Sequence, residues 1–172
     1  KRYKFVYLKL SSPNSLTYNH IMLLYIGADH RGFELKESIK EFLKESGYTV
    51  DDLGAEVYDK DDDFVDFAKY VAEKVNADPA SSRGILFCAN GVGMDAAANR
   101  YPQVRSVLAM SPDHVLTART DDDTNVLSLG ADFVDVDTAK KIVSVWLQTS
   151  FSGEERFKRR IEKLRNLGNS IN

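Results

Sequence analysis

From Met22 onward, short apolar runs alternate with stretches of helical periodicity through short links, and this alternation constrains the fold more than any other feature. Leu23-Leu24-Tyr25-Ile26-Gly27 reads as a first strand. Phe33 to Glu45 carries Phe33, Leu35, Ile39, Phe42 and Leu43 at helical spacing, and Gly47 stops it. Thr49 to Gly54 reads as a second strand, polar enough for an edge. Asp61-Asp62-Asp63 opens a second helix, Phe64 to Val75, with acids at its N-terminal end. Gly84 to Cys88 is the third strand, and its helix follows at once. Val104 to Met110 is the fourth, with Pro112 at the start of the next helix. Asn125 to Leu129 is the fifth, closed by Gly130; Asp137 then opens a helix from Thr138 to Leu147. A last helix runs from about Gly153 to Leu167. The pattern predicts an α/β protein: a Rossmann-like three-layer sandwich whose five-stranded parallel sheet has the order 2-1-3-4-5, with helices on both faces.

Composition narrows the function classes. The chain has 172 residues, enough for one domain with a sizeable core, read as residues 22–172. Its net charge of −3 gives no case for nucleic acid as a partner. No apolar run is long enough to span a membrane. The single cysteine cannot form an internal disulfide, which agrees with a cytoplasmic setting. Residues 1–21 hold Lys1, Arg2, Lys4 and Lys9 but no acid. They read either as a non-native extension ahead of a natural start at Met22, or as an arm pairing with a neighbour through alternating Tyr3, Phe5 and Tyr7.

The chemistry concentrates at the third strand. Gly84-Ile85-Leu86-Phe87-Cys88 ends on the only cysteine, the turn Ala89-Asn90-Gly91-Val92-Gly93 follows, and Asp95 to Arg100 reads as helix. A thiol is thus set where a strand stops and a helix begins, with amides around Gly91 and Gly93 able to face whatever it touches. That suits removal of a proton from carbon, the resulting oxyanion held by amides. Two other readings stand beside it. A lone cysteine ending a buried strand is most often a small core residue. Gly91-x-Gly93-x-x-Ala96 also fits the loose dinucleotide pattern, although it follows the third strand, not the first. The expected order makes strands one and three neighbours with their helices on opposite faces, and ligands bind at the carboxyl ends of such a pair. Asp29 and His30 therefore belong with Cys88 and Asn90. His30 is read either as a helix-capping or water-binding residue or as an anion contact. Arg156 and Arg160 stand one turn apart on the last helix and share a face, either a solvated one or a phosphate clamp.

Several segments, in order, resemble the ribose-5-phosphate isomerase B and galactose-6-phosphate isomerase family. They are Gly27-Ala28-Asp29-His30-x-Gly32-Phe33-x-Leu35-Lys36, then Gly84-Ile85-Leu86-x-Cys88-x-x-Gly91-Val92-Gly93-Met94 and Ala97-Ala98-Asn99-Arg100. Asp123-Thr124-Asn125-Val126-Leu127 and Arg156-x-x-x-Arg160 complete the set. The resemblance implies interconversion of phosphorylated aldoses and ketoses through a cis-enediol, with no metal or organic cofactor. It also implies a homodimer or homotetramer with shared active sites. By position, Cys88 would shuttle the proton, and the amides of Asn90, Gly91, Val92 and Gly93 would hold the enediolate oxygen. Asp29, His30 and Asn99 would contact substrate. Arg156 and Arg160 would bind phosphate, at least one of them from the partner.

The chain departs from that pattern at several positions. Ala89 and Asn90 replace a glycine and a threonine; Asp121 stands at the ring-opening histidine, Phe157 at a second histidine, Asp132 at an arginine and Phe64 at a tyrosine. Asp121 could act as an acid or base only with a raised pKa. The proton-transfer half is thus kept and the ring-opening half altered, so the expected substrate is other than ribose 5-phosphate, for example a sugar phosphate too short to cyclise. The alternative is a non-catalytic sugar-phosphate-binding subunit of a hetero-oligomeric isomerase.

Overall fold

The computed structural model describes residues 22–167; the expectations for residues 1–21 lie outside them. Five parallel strands form one sheet: β1 (Leu23–Ala28), β2 (Thr49–Asp52), β3 (Ser82–Cys88), β4 (Ser106–Leu108) and β5 (Val126–Gly130). The helices are α1 (Phe33–Glu45), α2 (Phe64–Ala77), α3 (Val92–Ala98), α4 (Pro112–Asp122), α5 (Val136–Gln148) and α6 (Glu155–Asn166). None of the described helices is long and apolar enough to cross a membrane.

The fold class is the expected one, with one correction. The strand order is β2-β1-β3-β5-β4, not 2-1-3-4-5. β5 pairs with β3 from Gly84↔Val126 to Cys88↔Gly130, and β4 takes the edge. Burial explains the exchange. All five residues of β5 are buried, whereas the three of β4 are half-buried, as suits a short edge strand. Ser128 looks out of place in a central strand, yet its hydroxyl lies 3.1 Å from Ser106 Oγ and is satisfied there.

Right-handed crossovers turn this order into layers. The β1-to-β2 and β4-to-β5 connections step one way, and the β2-to-β3 and β3-to-β4 connections step the other. One face carries Leu35, Ile39 and Leu43 of α1, Val115 of α4, and Ile142, Val143 and Trp146 of α5, packed on Ile26, Ile85, Phe87 and Leu127. The opposite face carries Ala68, Val71 and Val75 of α2 and Met94 and Ala98 of α3, packed on Leu86, Cys88 and Val126. Successive β3 side chains alternate between the two cores. Cys88 therefore faces α2 and α3. The helices after β1 and β3 lie on opposite faces, so these adjacent strands end at the switch point where sheets of this kind form a ligand crevice.

Local sequence fixes the elements around that crevice. Gly32 lets the β1–α1 turn lie against β3, since a Cβ there would sit 2.4 Å from the Phe87 carbonyl. The segment after β2 folds back over β1 through Ala28 N–H to Gly54 O (3.1 Å) and Ala55 N–H to Ala28 O (3.1 Å). Lys36, fully buried, holds it down by donating to the Asp52 carboxylate (2.9 Å) and to Ala55 O (2.7 Å).

Candidate active site

Strand ends bring the first group of residues together. Ala28 pairs with Phe87, so the segments after β1 and β3 leave the sheet side by side, and Asp29 N–H reaches Phe87 O at 3.3 Å. Asp29 is buried and accepts Gly32 N–H on Oδ1 at 2.9 Å. Burial pushes its carboxyl above the ordinary carboxylate range, against the pull of that N–H. His30 extends further out. Its backbone N–H (3.0 Å) and its Nδ1 (2.7 Å) both meet Asp62 Oδ1.

The cysteine turn is tightly organised. Gly91 adopts φ +77°, a left-handed conformation suited to glycine, and its N–H donates to Cys88 Sγ at 3.1 Å. The sulfur is thereby an acceptor, the role a proton-taking base needs. Cys88 is 5% exposed. Asn90 Oδ1 lies 4.0 Å from Sγ and accepts Val92 N–H at 3.0 Å. This corrects the expectation that the whole turn offers free amides: those of Gly91 and Val92 are engaged within the chain. Gly93 N–H, in the first turn of α3, has no carbonyl within the helix to bond and is open to a ligand.

Asp95, in that same turn, keeps one buried oxygen unpartnered while Oδ2 lies 3.4 Å from Asn99 Nδ2. Burial raises its pKa. A carboxyl raised in the folded state loses stability for the fold as pH climbs from the ordinary range through the raised value. Asp95→Asn is expected to raise Tm at about pH 7 and to change it little at about pH 4, read by thermal unfolding at both pH values.

The remaining candidates lie at the other end of the sheet. α3 and α4 run back from the carboxyl ends of their strands. Asn99, at the C-cap of α3, is bonded to the Ser106 backbone by N–H to Oδ1 (2.9 Å) and Nδ2 to O (3.2 Å). Asp121 sits in the last turn of α4 with Oδ1 3.1 Å from Thr120 Oγ1. α6 begins beside it, since Ser152 N–H donates to Thr120 O at 3.0 Å. Arg156 and Arg160 do share a face: their guanidinium carbons lie 4.3 and 5.7 Å from the ring centre of buried Phe157. Arg156 Nε also pairs with Glu154 at 2.8 Å. Arg160, Asn99, Arg105, Ser106, His114 and Asp122 line a cleft of about 430 Å³. Asp122 is pushed up by burial and then by neighbouring Asp121. Within one chain, then, Asp29, His30, Cys88 and Asn90 gather at one end of the sheet, and Asn99, Asp121, Arg156 and Arg160 at the other.

Two partners escape sequence reasoning. Asp62 is legible only as a helix-opening acid, and no local spacing links it to His30. Asp132, standing at the expected arginine, is bridged by Arg31 Nη2 to both carboxylate oxygens (3.0 and 2.8 Å). Asp132 N–H also donates to Ala89 O at 2.9 Å. Arg31 therefore sets a guanidinium across the end of β3 from the β1 side.

Residues 24–164 match the model of the Ribose/Galactose Isomerase family. The chain belongs to this family. Over 141 residues it is 40% identical to the probable ribose-5-phosphate isomerase B of Mycoplasma genitalium, which covers 82% of this chain and 92% of that protein. Over 143 residues it is 38% identical to the ribose-5-phosphate isomerase B of Mycobacterium tuberculosis, covering 83% and 88%. The crystal structure of the M. genitalium ribose-5-phosphate isomerase B with bound ribulose-5-phosphate superposes with a TM-score of 0.83 at 38% identity, over 87% of this chain and 97% of that one.

Proposed function

We propose that this isomerase interconverts a phosphorylated five-carbon aldose and ketose, with Cys88 moving the proton between carbons 1 and 2. The carrying observation is the sulfur at the end of β3, bonded by Gly91 N–H at 3.1 Å and placed beside the strand end that bears Asp29 and His30. Sγ removes a proton from the carbon beside the carbonyl, and the electron pair forms the enediolate double bond. Gly93 N–H faces the developing oxyanion. One proton passes from the hydroxyl oxygen on carbon 2 to the oxyanion on carbon 1, and return of the first proton from sulfur to carbon 1, with the carbonyl now formed at carbon 2, completes the isomerisation. No change of oxidation state outside the sugar is required.

The phosphate needs cations that one chain keeps at the far end of its sheet. In this reading a second copy supplies Arg156 and Arg160, stacked on its Phe157. An apolar surface beside the cysteine turn supports association: Phe64, Val65, Gly93, Ala97 and Tyr101 line a groove, and Val65 and Val92 are exposed. The similarity to proteins bearing the ribose-5-phosphate isomerase B name supports a pentose phosphate, in place of the shorter sugar phosphate expected from Asp121.

The test is wash-in of solvent deuterium at carbon 1 of ribulose 5-phosphate, beside four-carbon ketose phosphates. Enzyme-dependent exchange into the pentose is expected. Exchange confined to the four-carbon compounds would place the substrate among sugars too short to cyclise, and no exchange into any of them would remove the catalytic reading.

A further inference from the structure

We infer that His30, held by Asp62, opens the ring of the cyclic aldose before Cys88 acts; this rests on the isomerase reading above. A ring-form aldose 5-phosphate presents no free carbonyl, so an acid or base must act on its oxygens first. The expected histidine for that step is absent, since Asp121 occupies its place and lies at the opposite end of the sheet from Cys88 in the same chain. An imidazole is instead present at the carboxyl end, one residue beyond Asp29.

Its surroundings are built to hold one tautomer. The Asp62 side chain is 8% exposed, and its Oδ1 takes both the His30 backbone N–H and Nδ1. An ionised carboxylate only accepts, so Nδ1 carries the hydrogen and Nε2 is left as a base. Tyr58 packs edge-on against the ring, with centroids 6.1 Å apart. The imidazole keeps 24% of its surface exposed, so the ring stays open to solvent and solutes. Asp62 Oδ2 is buried with no hydrogen-bond partner, so the carboxylate has no competing task. A buried carboxylate that orients a histidine is a positioning residue, and the histidine does the proton transfer.

The step balances without any co-reactant. Nε2 takes the proton of the anomeric hydroxyl as its oxygen forms the carbonyl double bond. The bond between carbon 1 and the ring oxygen breaks, its electron pair going to that oxygen. The imidazolium returns the same proton to the ring oxygen. The neutral imidazole is restored, and the open aldehyde faces the thiol.

The experiment exploits a property of the product. Ribulose 5-phosphate cannot form a five-membered ring, because the oxygen that would close it carries the phosphate. Two rates are measured for wild type, Asp62→Asn and His30→Ala: conversion of ribose 5-phosphate, and deuterium wash-in at carbon 1 of ribulose 5-phosphate. Both rates fall in the variants, but ribose 5-phosphate conversion is expected to fall about 10²-fold further. It also ceases to scale with enzyme concentration once uncatalysed ring opening limits it. Should Asp62→Asn lower Tm sharply, His30→Ala carries the same comparison. Equal losses in the two rates would overturn ring opening by this pair and leave the isomerase reading standing. A wild type that neither converts nor exchanges would remove that reading, and this inference with it.

Discussion

Cys88→Ala is expected to lower kcat by about 10³-fold while the protein stays folded. The sulfur is the one group at the carboxyl end of β3 that accepts a hydrogen bond and can take a proton from carbon. Its other neighbours there, Gly91 N–H and Asn90, offer an amide donor and a neutral amide. Removing it deletes the base and leaves the fold, since the side chain is small and the void costs about 1 kcal/mol. Cys88→Ser is the sharper control, because it keeps a hydrogen-bond acceptor of similar shape in the same turn. Steady-state kinetics in both directions, with Tm alongside, separates the two effects. Activity within about threefold of wild type in Cys88→Ala would return the thiol to the role of a core residue.

Asp123→Ala is expected to be strongly destabilising. Asp123 ends α4 with φ +48°, a left-handed conformation that alanine adopts less readily than aspartate. Its two oxygens hold two buried guanidiniums, Arg119 Nη1 on Oδ1 at 2.9 Å and Arg105 Nη2 on Oδ2 at 2.8 Å. Arg105 also donates Nε to the carbonyls of Asp122 (3.1 Å) and Asp123 (2.9 Å), while its Nη1 is buried without a partner. Burial presses the Arg105 and Arg83 guanidiniums downward in pKa, with neighbouring arginines adding to it and Asp123 opposing. Deleting the carboxylate leaves buried cations uncompensated, a loss of about 3–5 kcal/mol. For a chain of this size that lowers Tm by about 10 °C or more. Urea unfolding checks it, with Asp123→Asn expected to fall between wild type and Asp123→Ala. A loss below about 1 kcal/mol in Asp123→Ala would contradict the argument.

The layers of the fold were legible because each element carries its own signal. Pro112 stands at the first position of α4, Gly91 takes the left-handed turn before α3, and the apolar spacing of α1 matches its buried face. Strand order was less legible. Val104 to Met110 and Asn125 to Leu129 are both short apolar runs, and only burial from both faces separates the central one from the edge. The longer first run shrinks to Ser106–Leu108 because Val104 N–H closes a turn onto Tyr101 O at 3.0 Å. The neighbourhood of Asp29, His30, Cys88 and Asn90 followed from topology, since β1 and β3 are adjacent at the point where helix faces switch. Pairs across long separations left no local trace: His30 with Asp62 is 32 residues apart, and Arg31 with Asp132 is 101. Thr124 and Asn125 were legible as a motif without a role. The fold gives them structural ones, Thr124 Oγ1 accepting the Trp146 indole N–H at 3.0 Å and Asn125 Oδ1 accepting Arg105 N–H at 2.7 Å.

In the proposed reaction two copies share a site, because one chain holds its sulfur and its paired arginines at opposite ends of the sheet. The direct measurement is complementation between Cys88→Ala chains and chains carrying Arg156→Ala with Arg160→Ala. Each homo-oligomer alone is expected to be nearly inactive. After subunits are exchanged at equal amounts, half the pairs are mixed and each mixed pair holds one intact site. Activity is then expected to rise to about a quarter of wild type. A mixture that forms mixed oligomers yet stays as inactive as its parents, or an arginine variant that is fully active alone, would contradict the shared site.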